Sequence, residues 1–363
     1  MIAEAFPACQ PAPIKLDAQV YGEVRNRVGH LTLNRPEALN ALSLDMVRAM
    51  RGYLDAWALD PHINAVVLRG AGDKAFCAGG DVRSLHQSYT SGGTLHETFF
   101  VEEYALDLCL HHYRKPVLAL MDGLTLGGGM GLAQAAELRI VTERSRLAMP
   151  ETAIGYFPDV GASYFLSRVP GELGTYLGLT GAQIEAADAL YCRLADWYVD
   201  SERLALLDER LDRVVWTDFP LKDLQGLLAK IGVQALPRPP IDRLRSAIDH
   251  FFGLPDIASM IEQLQEVAVA DSQEWARKTA MIMRARSPLA MAVSLELLRR
   301  GRHCSLEDCF AMELHLDHQW FAEGELIEGV RAMLVDKDKA PRWNPASIDD
   351  LPAGRVAQFF RGL

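Results

Sequence analysis

An α/β fold, with repeated β-β-α character over about the first 170 residues and a largely helical remainder, is what this sequence predicts. Three observations carry that expectation. Two short apolar runs, AVVLRG (Ala65–Gly70) and VLALM (Val117–Met121), read as strands buried on both faces. Each is followed by a glycine-containing loop that leads into a helical pattern. From about Gly171 onward, apolar residues recur mainly at helical spacing and strand-like runs become few.

In chain order, QVYGEVRNR and HLTLN are the first β-like runs, and RPEALNALS links them to a helix. Leu44, Val47, Met50, Leu54 and Trp57 mark the buried face of that helix at three- and four-residue spacing. After the strand at Ala65–Gly70 comes the loop AGDKAFCAGGDVRSL, then a helical pattern from Thr98 to His112. The strand Val117–Met121 precedes a glycine cluster at 127–131 and a helix to about Ala136. LRIVTE and SRLAMP form another β pair. Beyond it, YLGLTGAQIEAADAL, SERLALLDERL, LKDLQGLLAKI, IDRLRSAIDHFF and PLAMAVSLELLRRG are amphipathic helical patterns. The Pro-rich stretch LPRPPID is the best linker candidate, although Pro also begins helices. It divides the chain into an expected α/β core with its first C-terminal helices, 1–235, and a helical region, 236–363.

A chain of 363 residues with 49% hydrophobic content is long enough to bury a sizeable core. Its net charge of −11, with no clustered Lys and Arg, argues against a nucleic-acid footprint. The six cysteines are dispersed, without CxxC or zinc-like spacing, so free thiols in a reducing compartment are expected. The N-terminal stretch lacks the pattern of a secretion signal or transit peptide, and no apolar run approaches the ~20 residues of a membrane span. A cytoplasmic location without membrane association is the expectation.

Two glycine loops are candidate oxyanion sites. AFCAGGD (Ala75–Asp81) and LGGGMGLA (Leu126–Ala133) each join a strand to a helix, where first-turn N–H groups carry partial positive charge. A plainer account serves each alone: a tight turn with Asp81 capping the next helix, and close packing of helix on sheet. A dinucleotide fingerprint fits poorly, because Gln134 falls where Gly or Ala is wanted, and no GxxxxGK loop exists. In MPETAIGYFPDVG, Glu151 follows Pro150 as a first-turn acid, and Asp159 follows Pro158 as a helix N-cap. Taken jointly, two amide-donor loops and two acids in apolar surroundings provide the parts of an acyl-transfer site. His315 and His318 have HxxH spacing without a third ligand, so no metal is expected there. Ser163 lacks a nucleophile-elbow signature.

The stretches LTLNRPEALNALS, FCAGGDVR, FFVEEYAL, KPVLALMDGLTLGGGMGLA, MPETAIGYFPDVGASYFLSR and EGVRAMLVDKDKAPRWNP resemble the crotonase (enoyl-CoA hydratase/isomerase) superfamily, and its 3-hydroxyisobutyryl-CoA hydrolase branch in particular. The resemblance implies a crotonase-like spiral of ββα units and an acyl-CoA substrate, with coenzyme A part of the substrate and no separate cofactor. It implies that the amides of Gly80 and Gly128 hold the thioester oxygen, that Ala78 meets the adenine, and that Glu103 is a substrate-site acid. Glu151 and Asp159 match the branch's two central carboxylates, and Glu151 is the expected reacting group. The CoA-contacting pattern appears here as Arg35-Pro36-Glu37-Ala38-Leu39, with an acid where the family has a cation. Ala38 and Leu39 keep their matched positions, while phosphate contacts fall to Arg83 beside Asp81, or to C-terminal basic residues. Hydratases of the superfamily carry a glutamate after the glycine cluster. Gly131 stands there, which disfavours hydration. Enoyl-CoA hydration or isomerisation, and a CoA-binding subunit without turnover, are the rival expectations. Both a homo-oligomer and a smaller assembly fit the resemblance.

Overall fold

The structure, a computed structural model, describes residues 18–232, 236–267 and 270–363; Cys9 and the N-terminal stretch lie outside the described residues. Its contacts group the chain into two compact units, each discontinuous in sequence. The first comprises residues up to Gly80, Glu102–Leu147 and Ile184–Pro239; the second comprises Asp81–Val101, Ala148–Gln183 and Pro240–Leu363.

The first unit is built on β-sheets. Strands β1 (Val20–Arg25) and β2 (Val28–Leu33) pair antiparallel through Asn26 and Arg27, both left-handed at φ 42° and 65°. That geometry is the two-residue hairpin turn whose twist matches its strands. Helix α1 (Leu44–Leu59) is N-capped by the Ser43 hydroxyl, which accepts from the Met46 N–H at 3.2 Å. It buries Met46, Val47, Met50, Leu54 and Trp57, the face its periodicity predicted except that Met46 replaces Leu44. Strands β3 (Ala65–Gly70) and β4 (Ala75–Cys77) follow; the chain then passes through helix α2 (Val82–Thr90), which belongs to the second unit, and helix α3 (Leu95–His111), whose residues from Glu102 belong to the first. Next come β5 (Val117–Met121), β6 (Leu124–Leu126), α4 (Gly128–Gln134), β7 (Leu138–Val141), β8 (Arg146–Ala148) and β9 (Trp197–Tyr198).

Six strands form one sheet in the order β1-β2-β3-β5-β7-β9, parallel from β2 onward; β4, β6 and β8 form a second. Val67, Leu118, Leu120, Leu138 and Ile140 of the large sheet pack on Leu207, Leu211, Leu224, Leu228 and Ile231 of the helices Leu204–Leu211 and Pro220–Ile231. Short β9 escaped the periodicity argument because two residues carry no alternation to read.

The second unit is mainly helical. Its core gathers aromatic rings: Phe157 meets Trp320 edge-on at 5.1 Å, and Trp320 meets Phe359 at 5.0 Å. Trp320 also donates its ring N–H to Gly155 O at 2.8 Å, which ties the helix Leu306–Glu323 to the segment carrying the two candidate acids. Pro240 opens a 3-10 turn (Pro240–Leu244) that runs into the helix Arg245–Phe252, so in this stretch Pro starts structure. Among the described residues, five cysteines are free thiols, three of them buried, and no helix is long and apolar enough to cross a membrane.

Candidate active site

In the first unit, the two glycine loops meet. A methyl group built at Gly128 would stand 3.4 Å from the Gly80 amide nitrogen, and one built at Gly79 would stand 3.6 Å from the Gly128 nitrogen. Gly79 adopts φ +97°, a reversal that L side chains resist, and its carbonyl is taken by the Leu42 N–H at 2.8 Å. The Ala78 amide is likewise used, donating to Leu39 O at 3.0 Å. Gly128 is the first residue of α4, so its N–H has no acceptor within that helix. The Met130 and Gly131 amides both return to Gly127 O. Thus the predicted amide pair is close in space, on loops that these backbone bonds hold in place.

Glu103, in α3, is 2% exposed, and its Oε1 lies 2.5 Å from where a Gly128 methyl would stand. Gly80, Gly128 and Glu103 therefore share one small volume. Ala38 and Leu39 lie half-buried on the loop after β2, where Leu39 and Asn40 are both left-handed, at φ 53° and 56°. Asn40 is not among the residues that the sequence marks as candidates. Fully buried, it donates to Ala71 O and Ala75 O and accepts from the Arg35 N–H, which locks the loop. Its signal was present: Asn tolerates the left-handed region and bonds backbone on either side.

In the second unit, four acids lie in apolar surroundings. Glu151, Asp159, Glu313 and Asp317 are 6%, 5%, 0% and 3% exposed. Glu151 opens the 3-10 turn Glu151–Ile154 as the expected first-turn acid. Its Oε2 has no hydrogen-bond partner among the described residues. Burial holds its carboxyl well above the usual carboxylate range, and the charge of Asp159 pushes it further. Contrary to the expectation from Pro158-Asp159, Asp159 does not N-cap the following helix Ala162–Phe165. Gly161 occupies that position at φ +84°, and a carboxylate from a remote helix does the capping.

That remote group is Glu313. Its Oε2 accepts from the Gly161 N–H at 2.7 Å, and its Oε1 accepts from the Ser163 N–H at 2.9 Å and from the Ser163 hydroxyl. Burial pushes Glu313 up to about 8 against those three donors, and Asp159 adds to the rise. Asp317, one turn on, accepts from the Tyr156 hydroxyl at 2.8 Å, and burial raises it well above its ordinary value. This helix also carries His315 and His318, the HxxH pair of the sequence. His318 is exposed, whereas Glu313 and Asp317 point inward at i, i+4 spacing among Phe310, Leu316 and Trp320. Acids on an apolar helical stripe were the available signal.

The remaining candidates have other roles. Asp81 N-caps α2, accepting from the Ser84 N–H at 3.3 Å, and Arg83 is exposed on the same helix. Ser163 spends its hydroxyl on Glu313, and burial lifts the Cys77 thiol to about 12, so neither is an activated nucleophile.

Two sheets wound from ββα units, with a glycine loop opening α4, define a crotonase-fold α/β protein. A model of the enoyl-CoA hydratase/isomerase family matches residues 28–360, and the chain belongs to that family. The mitochondrial 3-hydroxyisobutyryl-CoA hydrolase of Rattus norvegicus is 37% identical over 354 residues, 95% of this chain and 89% of that protein. Its counterpart in Danio rerio is 36% identical over 353 residues, 96% of this chain and 91% of that protein. Among solved structures, a carnitinyl-CoA dehydratase from Mycobacterium thermoresistibile matches with a TM-score of 0.86 and 35% identity, covering 95% of this chain and 97% of that one. The cytoplasmic location expected from the sequence is overturned by these relatives, whose names place the hydrolases in mitochondria. The N-terminal stretch on which that expectation rested lies outside the described residues.

Proposed function

We propose that this chain hydrolyses 3-hydroxyisobutyryl-CoA to 3-hydroxyisobutyrate and coenzyme A, a step in valine catabolism. It is an acyl-CoA thioester hydrolase. The observation that carries this reading is identity of 36–37% along nearly the whole chain to proteins named for that hydrolysis. Gly131, inside α4 where hydratases carry a glutamate, supports it over hydration.

In this mechanism the amides of Gly80 and Gly128 receive the thioester oxygen as negative charge develops on it. Each such donor is worth roughly 3–4 kcal/mol in comparable sites. Glu151 in its carboxylate form either takes a proton from the attacking water or attacks the carbonyl itself to give a mixed anhydride. In the first route the C–S bond breaks as water's oxygen joins the carbonyl carbon, and the proton held by Glu151 passes to the departing thiolate; in the second, water then hydrolyses the anhydride, which frees Glu151 and the acid and supplies the proton that the thiolate takes up. A buried carboxyl oxygen without a hydrogen-bond partner among the described residues suits that work. Asp159 accepts from the substrate 3-hydroxyl, and Glu103 borders the acyl group. Ala78, Ala38 and Leu39 meet the CoA moiety, with Asp81 and Arg83 at its edge.

The test is a thiol-release assay over a panel of short acyl-CoA thioesters. The expected result is fastest release from 3-hydroxyisobutyryl-CoA. Loss of enoyl absorbance without thiol release would replace this reading with hydration. CoA binding without any release would replace it with a binding subunit.

A further inference from the structure

We infer that Glu313 is a positioning residue for this reaction, acting through Asp159 by clamping the strained turn that follows it. The inference rests on the role proposed above for Asp159. Val160 is β-branched and sits at φ +53°, a region such side chains resist, and Gly161 continues the left-handed path at φ +84°. A β-branched residue in this region persists only where the surroundings over-determine it. Three donors from this turn converge on one carboxylate: the Gly161 N–H, the Ser163 N–H and the Ser163 hydroxyl all reach Glu313. The Asp159 carbonyl closes the turn from inside, accepting from the Ala162 N–H at 2.8 Å.

The clamp comes from one rigid element. Phe310, one turn before Glu313 on the helix Leu306–Glu323, lies 3.0 Å from where a Gly161 methyl would stand. Packing and hydrogen bonding from the same helix therefore hold the same turn. Releasing Glu313 lets Val160 relax toward an ordinary backbone, which swings the adjoining Asp159 away from its working direction. A misplacement of about 1 Å in a substrate-orienting group costs on the order of 100-fold.

The test compares Asp159→Asn, Glu313→Gln and the double variant in steady-state hydrolysis of 3-hydroxyisobutyryl-CoA, with Ser163→Ala as a milder loosening of the clamp. The expected result is a kcat loss of about 10- to 100-fold for Glu313→Gln, with KM near wild type and a smaller loss of the same kind for Ser163→Ala. The double variant is expected to be no slower than Asp159→Asn alone, because both changes remove one contribution. If Asp159→Asn turns over normally, the role assigned to Asp159 falls and this inference falls with it. If Asp159→Asn is slow but the Glu313→Gln loss multiplies with it, or Ser163→Ala and Glu313→Gln both keep wild-type kcat, the clamp alone is wrong. Should Glu313→Gln fail to fold, Ser163→Ala paired with Asp159→Asn gives the same comparison.

Discussion

Replacing Gly128 by Ala is the sharpest probe of the amide pair. The added methyl would stand 2.5 Å from Glu103 Oε1, 3.4 Å from the Gly80 nitrogen and 3.5 Å from Leu42 Cδ1. An oxygen accepting from an amide lies at about 2.9 Å, so the methyl comes within about half an ångström of the shell that oxygen would fill. The cost to folding is small. Only the far end of the Glu103 side chain must yield, and Ala in a helix is favoured over Gly by about 1 kcal/mol. Under the proposed mechanism the cost to chemistry is the loss of a preorganised oxyanion donor, about 10²- to 10³-fold in kcat, or about 2.7–4 kcal/mol. The assay is thiol release from 3-hydroxyisobutyryl-CoA alongside a thermal melt. Gly129→Ala provides the contrast, since its methyl would meet the Cys77 carbonyl at 2.2 Å, where only backbone movement relieves the clash. The first variant should melt near wild type and turn over slowly, while the second should melt early. A Gly128→Ala enzyme with kcat/KM within about threefold of wild type would refute the proposed oxyanion pair.

Glu151→Gln should abolish most turnover while keeping or raising Tm, because it removes a buried acid whose Oε2 has no partner among the described residues. Since burial and Asp159 both raise Glu151, and the carboxylate is the working form in the proposed mechanism, kcat/KM in the wild type should climb with pH along a limb lying above the ordinary carboxylate range. A limb at the usual range would remove Glu151 from the reacting position. Stability should move the opposite way. Glu313 is near 8 folded against an ordinary 4.5, so its contribution is full below pH 4.5 and is lost as pH rises through 8, by up to about 5 kcal/mol. Melts from pH 5 to 9 should therefore fall less steeply in Glu313→Gln than in wild type, with Glu151 and Asp317 supplying the slope that remains. Trp320→Ala should cost about 3–5 kcal/mol in a denaturant melt, from the cavity left against Phe157 and Phe359 and the lost bond to Gly155 O. A loss below about 1 kcal/mol would mean the aromatic core is not what supports this segment.

Much of this protein was legible in one dimension. The buried strands, the face of α1 and the glycine loops opening helices follow from patterns that repeat within a few residues, and such patterns survive without knowledge of the rest of the chain. Glu151 and Asp159 stood out as acids in an apolar segment. Short β9 did not, and neither did the true cap of the helix Ala162–Phe165. A nearby Asp was the natural capping choice from sequence, but a left-handed Val160 and Gly161 reroute the backbone and bring in Glu313 instead.

Glu313 and Gly161 are separated by 152 residues, and Tyr156 and Asp317 by 161. Sequence by itself determined which short segments become strands, helices and amide-rich turns, since those choices depend on side-chain spacing and local backbone sterics. Only the tertiary structure decided which acids share a dry interior and how far their protons are held. That follows from desolvation and Coulomb interaction, which act through space and depend on neighbours contributed from remote parts of the chain.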